Sequence, residues 1–278
     1  MTQIIAVANQ KGGVGKTSIA VHLAALAHET DRRTLLVDLD QQGSATLLCS
    51  GDGGKHRTNK DTVLDLWDET IQTLPIQESL FGFDYLQASE ELDAVDDELD
   101  AARKALLRLD DYGYDTIIID CPPAPGVRQI APLLIADRQV VPITADALGT
   151  QGLVGVLMQN QKLILPHNAG LDLRIIVNLH KSTSLTQKAV IEHLQEHLGD
   201  KLLEQVLTDR EAVKHALRAG KPVWAVTKEP FGEAWRAACE DLLSFAEEDS
   251  RLADGDDSDE SIGVDMPEDL EDIVGVEA

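Results

Sequence analysis

An apolar strand, a glycine-rich turn and a helix start follow one another within the first 26 residues, and no other feature constrains the chain as tightly. Residues 3–8 read QIIAVA, an apolar run suited to a buried parallel strand. Residues 9–18 read NQKGGVGKTS, and residues 19–26 read IAVHLAAL, unbroken and long enough for a helix. That succession is the context a phosphate-binding loop requires. Gly12, Gly13 and Gly15, with Val14 between them, let backbone N–H groups turn inward around phosphate oxygens with no Cβ in the way. The helix start at Lys16, Thr17 and Ser18 adds unpaired donors and the positive end of a dipole. Lys16 is expected to reach the β- and γ-phosphates of a nucleotide, and the Thr17 hydroxyl to ligate Mg²⁺. The usual spacing, G-x-x-x-x-G-K-[ST], puts glycine at position 10; this chain has Gln10 there and a second lysine, Lys11. Taken alone, Lys11 is an exposed loop lysine.

Two further strand ends carry acids. Residues 34–46, TLLVDLDQQGSAT, run from a buried strand through Asp38 and Asp40 into a turn, with a helix from near Ser44. Acids at the carboxyl ends of parallel strands sit where α/β sheets bind ligands. On residue type alone they are equally loop acids or caps for the next helix. Residues 114–123, YDTIIIDCPP, form a strand closed by Asp120 and stopped by two prolines. Asp120 is placed to hold Mg²⁺, through water because Mg²⁺ dehydrates reluctantly. Cys121 reads as a small buried neighbour rather than a nucleophile, since no histidine is near and burial raises a thiol pKa.

Together these segments resemble the ParA/MinD family of ATPases. The run K-G-G-V-G-K-T matches that family's deviant phosphate loop residue for residue. DLDQQGSAT is similar to its D-x-D-P-Q-G-x-A-T, and YDTIIIDCPP to its Y-D-x-I-x-I-D-x-P-P. The resemblance implies ATP and Mg²⁺ as ligands and a Lys11 that reaches across a dimer to the partner's nucleotide. It implies an Asp40 that orients the attacking water, with Asp38 as support and a possible metal ligand. The family's proline is Gln41 here, which leaves the rigidity of that turn open. Ala136-Asp137-Arg138 through Val141-Pro142-Ile143, Gly152-Leu153 at a helix start, Gly220-Lys221-Pro222-Val223 and Phe231-Gly232-Glu233-Ala234-Trp235 are similar to later family segments. Asn178, closing a strand, stands where relatives often contact the base; a satisfied strand-end Asn fits equally well. The resemblance covers about residues 1–246.

Strand patterns at 3–8, 34–39, 83–87, 115–120, 139–143, 173–178 and, weakly, 202–207 alternate with helical ones at 16–29, 89–109, 150–165, 184–198, 210–219 and 232–248. That alternation predicts an α/β fold: a doubly wound, mostly parallel sheet flanked by helices. A single domain is expected over residues 1–248, with a disordered acidic tail over 249–278 and a mobile loop over residues 51–56. Net charge is −25, from 49 acidic and 24 basic residues. Residues 247–278 contribute −13 of this, so even the body stands at −12. Acids spread along the whole chain favour a halophile's cytosol, where salt screens self-repulsion; an ordinary acidic cytosolic protein is the alternative.

Three widely spaced cysteines point to a reducing cytoplasm and away from a C-x-x-C metal or iron–sulfur site. No apolar run reaches the 18 residues of a membrane span, and with the first strand starting at residue 3 no leader is expected. The His193-Leu194-Gln195-Glu196-His197 run formally matches an inverted zincin motif, but no third ligand accompanies it, and it is discounted.

The resemblance implies a partition ATPase of the ParA type. ATP would join two copies in a homodimer that binds DNA without sequence preference, and a ParB-like centromere-binding protein would stimulate slow hydrolysis. A nucleoid-associated cytoplasmic location follows. Arg210, Lys214, Arg218 and Lys221 recur at helical spacing and are the candidate DNA contacts, or else a solvated face. A MinD-like protein would end in a basic membrane helix, whereas this C-terminus is acidic. A relative that positions some non-DNA cargo is the remaining alternative.

Overall fold

The computed structural model describes residues 2–51, 61–95, 98–227 and 230–245. In chain order the elements begin with β1 (Gln3–Val7), α1 (Lys16–Glu29), β2 (Thr34–Asp38) and α2 (Ser44–Ser50). They continue with β3 (Gln77–Glu78), β4 (Asp84–Leu86), α3 (Leu99–Leu107), β5 (Thr116–Asp120), α4 (Val127–Leu133) and β6 (Arg138–Ile143). The last are α5 (Ala147–Gln159), β7 (Asp172–His180), α6 (Leu185–Leu198), β8 (Leu202–Thr208), α7 (Glu211–Arg218), α8 (Val223–Val226) and α9 (Pro230–Leu243). They build one eight-stranded sheet in the order β3-β4-β2-β5-β1-β6-β7-β8, parallel throughout except where β3 meets β4.

Side chains alternate across the sheet, and both faces are dry. Ile4, Ala6 and Ala8 join Leu35, Val37, Ile117 and Ile119 in one core. Ile5 and Val7 join Leu36, Ile118, Val140 and Ile176 in the other. Burial on both faces explains why these strands read as unbroken apolar runs. α1 is buried almost all round from Ile19 to Ala27, so its alanines and leucines lie against the sheet on one side and against α9 on the other. His22 sits inside this packing. Its Nε2 accepts from the Val223 amide at 3.1 Å, so Nδ1 carries the proton and donates to Ser18 O at 2.6 Å. Burial pushes its pKa down to about 4.

Local boundaries differ from the pattern in explicable ways. The 89–109 helix is confined to α3, flanked by 3-10 turns at Leu92–Val95 and Arg108–Tyr112; residues 96–97 lie outside the described set. α5 begins at Ala147 rather than at 150–152, because the Asp146 side chain accepts from Gly149 N and caps the helix there. Gly152 is therefore an interior residue, and the helix passes into a π turn at Asn160–Ile164. The short α4 and α8 carry too few residues to show a period, and β3 is two exposed residues. The expected loop beyond Gly51 and the expected tail over 249–278 fall outside the described residues. Arg138, at the start of β6, is buried, and burial pushes its pKa down against the pull of Asp172. It pairs with Asp172 and donates to Leu242 O at 2.7 Å and Ser244 O at 2.8 Å, fastening the end of α9 to the sheet.

Candidate nucleotide site

The carboxyl ends of β1, β2 and β5 are neighbours in the sheet, which brings the glycine loop, Asp38, Asp40 and Asp120 to one edge. The loop turns through left-handed backbone at Gly13 (φ +74°) and Gly15 (φ +92°). A Cβ at Gly15 would collide with the buried Asn178 amide, and the left-handed backbone disfavours any side chain there, so the position selects glycine. Asn178 donates to Val14 O at 2.9 Å and braces the loop from below, while its buried Oδ1 has no partner among the described residues. Asn9 holds the loop from the other side: its amide donates to Pro142 O at 2.7 Å and its oxygen accepts from Lys11 N at 2.9 Å.

A cavity of about 680 Å³ opens above the loop. Gly12, Gly13, Gly15, Lys16, Thr17, Ser18 and Asp40 form its floor, with Asp209, Lys214, Leu217 and Arg218 across it. The size is that of a small-ligand pocket. Lys16 is buried and its Nζ donates to Lys11 O at 3.1 Å. Desolvation pushes its pKa down, against the pull of Asp120, Cys121 and Asp40. Thr17 Oγ1 donates to Asp120 Oδ2 at 2.7 Å. Asp120 Oδ1 is buried with no partner among the described residues, an orphaned acceptor of the kind a hydrated Mg²⁺ beside Thr17 satisfies. Burial, with Asp38 adding repulsion, pushes the Asp120 carboxyl well above the usual carboxylate range.

Asp38, expected as support for Asp40 and a possible metal ligand, spends both oxygens on protein donors. Oδ1 accepts from Asp40 N at 3.1 Å; Oδ2 accepts from Thr46 N at 2.8 Å and Thr46 Oγ1 at 2.7 Å. That geometry anchors the turn to α2. Burial raises the Asp38 pKa to about 6 despite those donors. Asp40 accepts from Gln42 N at 3.0 Å and faces the cavity.

Lys11 does not line the cavity. Its Nζ donates to Thr144 Oγ1 at 2.9 Å and pairs with Asp146 Oδ1 at 3.1 Å, the same carboxylate that caps α5. Asp146 sits below the usual carboxylate range: burial opposes this, but Thr144, the Gly149 amide and Lys11 outweigh it. Asn9, Thr144 and Asp146 were not legible as site residues; the one local signal is Asp146 three residues before Gly149, a capping spacing.

The four cations proposed from spacing are all exposed; Lys214 and Arg218 lie on α7, with Arg210 at its N-cap. Lys214 and Arg218 border the cavity, Lys214 is paired with Glu211 at 2.8 Å, and Arg210 lies over the Phe231 ring at 4.8 Å. Lys221 follows the end of α7. Cys121 is fully buried and its thiol pKa is driven up by burial. His193, Glu196 and His197 bring ligand atoms within 4.8 Å of one another on α6, and none of them lines the cavity.

Such a floor of backbone amides, lysine and acids at three parallel strand ends defines a P-loop nucleotide hydrolase. A family model described as an AAA domain matches residues 2–173. The chromosome-partitioning ATPase Soj of Thermus thermophilus is 33% identical over 249 residues, 88% of this chain and 96% of its own. A cobyrinic acid a,c-diamide synthase of Mycobacterium smegmatis, solved with ADP and magnesium, superposes with a TM-score of 0.71 at 27% identity, over 87% of this chain and 94% of its own. A putative plasmid partition protein of Borrelia burgdorferi bound to AMPPNP shares the fold, with a TM-score of 0.73 at 24% identity over 87% and 99% of the two chains. The chain belongs to the AAA-domain family of that match and is a ParA/MinD-type P-loop ATPase.

Proposed function

We propose that this ATPase is a partition protein of the ParA type, whose ATP-bound form is a face-to-face homodimer that binds DNA without sequence preference. A ParB-like centromere-binding partner would stimulate hydrolysis and release it from the nucleoid, in plasmid or chromosome partitioning. The observation that carries this reading is Lys11. It adjoins the phosphate loop, yet its amine lies outside its own cavity on a half-exposed aspartate, where a second chain's nucleotide could claim it.

The chemistry follows from position and charge, since phosphoryl transfer needs little covalent work from a protein. Loop amides and Lys16 bind the β- and γ-phosphates, Asp40 accepts a hydrogen bond from the attacking water, and Lys11 of the second copy neutralises charge on the γ-phosphate. Thr17 and Asp120 would hold Mg²⁺, which would supply positive charge against the phosphate oxygens. Asn178 Oδ1 remains an acceptor for the base.

Arg210, Lys214, Arg218 and Lys221 are assigned to DNA phosphates. A body charge of −12 opposes this at low ionic strength, but at ~1 M salt the Debye length is about 3 Å and local contacts dominate. The acidic body fits a halophile's cytoplasm. Among the described residues no helix is long and apolar enough to cross a membrane.

The test is light scattering and cosedimentation of wild type and Lys11→Ala with Mg-ATP, using DNA and anionic liposomes. ATP-dependent dimers that pellet with DNA and are lost in Lys11→Ala support the reading. Pelleting with liposomes alone would point to the MinD-like alternative, and binding to neither would point to another cargo.

A further inference from the structure

Position 41 immediately follows the acid assigned to the attacking water, so whatever fixes its backbone fixes Asp40. Gly43 N donates to Asp40 O at 2.7 Å, closing a four-residue turn from Asp40 to Gly43. Neither Gln41 nor Gln42 is among the residues with positive φ, which makes this a type I turn with Gln41 at its second position. Proline is favoured at that position because its ring presets φ near −65°. Gln41 brings no such constraint, and the structure supplies a tether instead.

With its amide nitrogen facing the carboxylate, Gln41 donates to Asp93 Oδ1 at 2.6 Å and Oδ2 at 2.8 Å. Asp93 lies in the 3-10 turn Leu92–Val95 and pairs with Arg128 Nη2 at 2.5 Å. The Arg128 side chain is 5% exposed, so its guanidinium is fixed by packing. Arg128 Nη1 also reaches Leu39 O at 3.5 Å, between Asp38 and Asp40. Arg128 stands in α4, the element that follows Asp120 and the two prolines. The turn is thus held at Leu39 and at Gln41 by one arginine–carboxylate pair rooted in α4.

We propose that Gln41, Asp93 and Arg128 form a clamp that positions Asp40 for hydrolysis, taking the place of a proline in the turn. Gln41 and Asp93 are positioning residues: they hold the Asp40 backbone and touch neither phosphate nor water. Because misplacing a reacting group by about 1 Å can cost ~100-fold in rate, a loosened turn lowers turnover without weakening nucleotide binding. This rests on Asp40 acting in the hydrolytic step.

The test is single-turnover phosphate release by the full chain at saturating Mg-ATP, alongside ATP affinity and thermal unfolding. Gln41→Ala is the main variant, since it leaves the Asp93–Arg128 pair intact; Asp93→Ala and the double variant complete a cycle. The expected result is about a tenfold slower turnover in each single variant, the double variant no slower than either, and ATP affinity within twofold of wild type. Gln41→Pro combined with Asp93→Ala should recover most of the lost rate, because the ring sets φ without the tether. Wild-type rates in Gln41→Ala, losses that multiply in the double variant, or no recovery with proline would each overturn the clamp. Asp40→Ala serves as the reference: if it turns over normally, the assignment of Asp40 fails, which is a separate result from any failure of the clamp.

Discussion

Asp146→Asn should strengthen ATP-dependent dimerisation. In the single chain each Lys11 is tethered to its own Asp146, at 3.1 Å, and to Thr144, at 2.9 Å. Reaching a partner's nucleotide breaks that tether once per protomer. The two side chains are 27% and 45% exposed, so the pair falls in the range of partly solvated bridges, about 0.5–1 kcal/mol after screening. Two tethers oppose dimer formation by about 1–2 kcal/mol, a factor of roughly 5–30 in the association constant. Asparagine caps a helix as well as aspartate, so the Gly149 bond and α5 survive while the charge is lost. Asp146→Ala, which also removes the cap, is the control for helix damage and should unfold earlier. Sedimentation equilibrium in an Asp40→Ala background keeps ATP intact during the measurement. A dimer constant unchanged or weakened in Asp146→Asn would refute the idea that the tether competes with the interface. The competition also has a pH sense: a carboxyl held below its usual range keeps the tether at neutral pH and loses it only as pH falls through that lowered value.

Lys16→Ala should abolish ATP binding, whereas Asp40→Ala should bind ATP like wild type and stop turnover; equal loss of binding in a fluorescent-nucleotide titration would contradict these roles. An Arg210→Glu/Arg218→Glu double variant should lose DNA binding in ATP titrations at several salt concentrations, and wild-type binding throughout would remove α7 as the DNA site. His22 takes up its proton at about 4 when folded against 6.5 when free, so the unfolded chain protonates first and stability falls on acidification. Urea unfolding should show the advantage of wild type over His22→Leu shrinking by about 2 kcal/mol between pH 7.5 and pH 5, and a constant difference would refute the assignment.

What the sequence disclosed were features written into a few consecutive residues. The glycine loop, the two strand-end acids and the hydrophobic runs each depend on local order, and a parallel sheet buried on both faces makes its strands conspicuous. Features closed by tertiary contact were not legible. Asp93 follows the glutamine it binds by 52 positions, Thr144 lies 133 beyond Lys11, and Val223 lies 201 beyond His22. α4 and α8 escaped notice because seven and four residues cannot show a 3.6-residue period. The regular spacing of Arg210, Lys214 and Arg218 pointed to one helical face, yet Arg210 precedes the helix and turns to Phe231.

Several of the places where this chain breaks local rules gather at one end of its sheet. Asp38 and Asp120 are register partners on β2 and β5, and burial raises the pKa of both, with Asp38 adding repulsion at Asp120 and Asp40 adding it at Asp38. Buried like charges of this kind destabilise a fold unless something binds them. Asn178 leaves a buried oxygen unpaired, and Leu179 beside it holds a φ of +56°, which costs a branched side chain about 1–2 kcal/mol. Gly13 and Gly15 take left-handed backbone in the same layer. Other irregularities lie apart from these: Asp31 and Asp61 also hold positive φ, and Thr116, His180 and Gln205 each keep a buried side-chain atom without a partner among the described residues. Lys16, Asp40 and the loop glycines line the cavity, and Asp120 keeps an unpaired oxygen beside Thr17. A ligand that presents phosphate oxygens and a hydrated divalent cation answers these groups together.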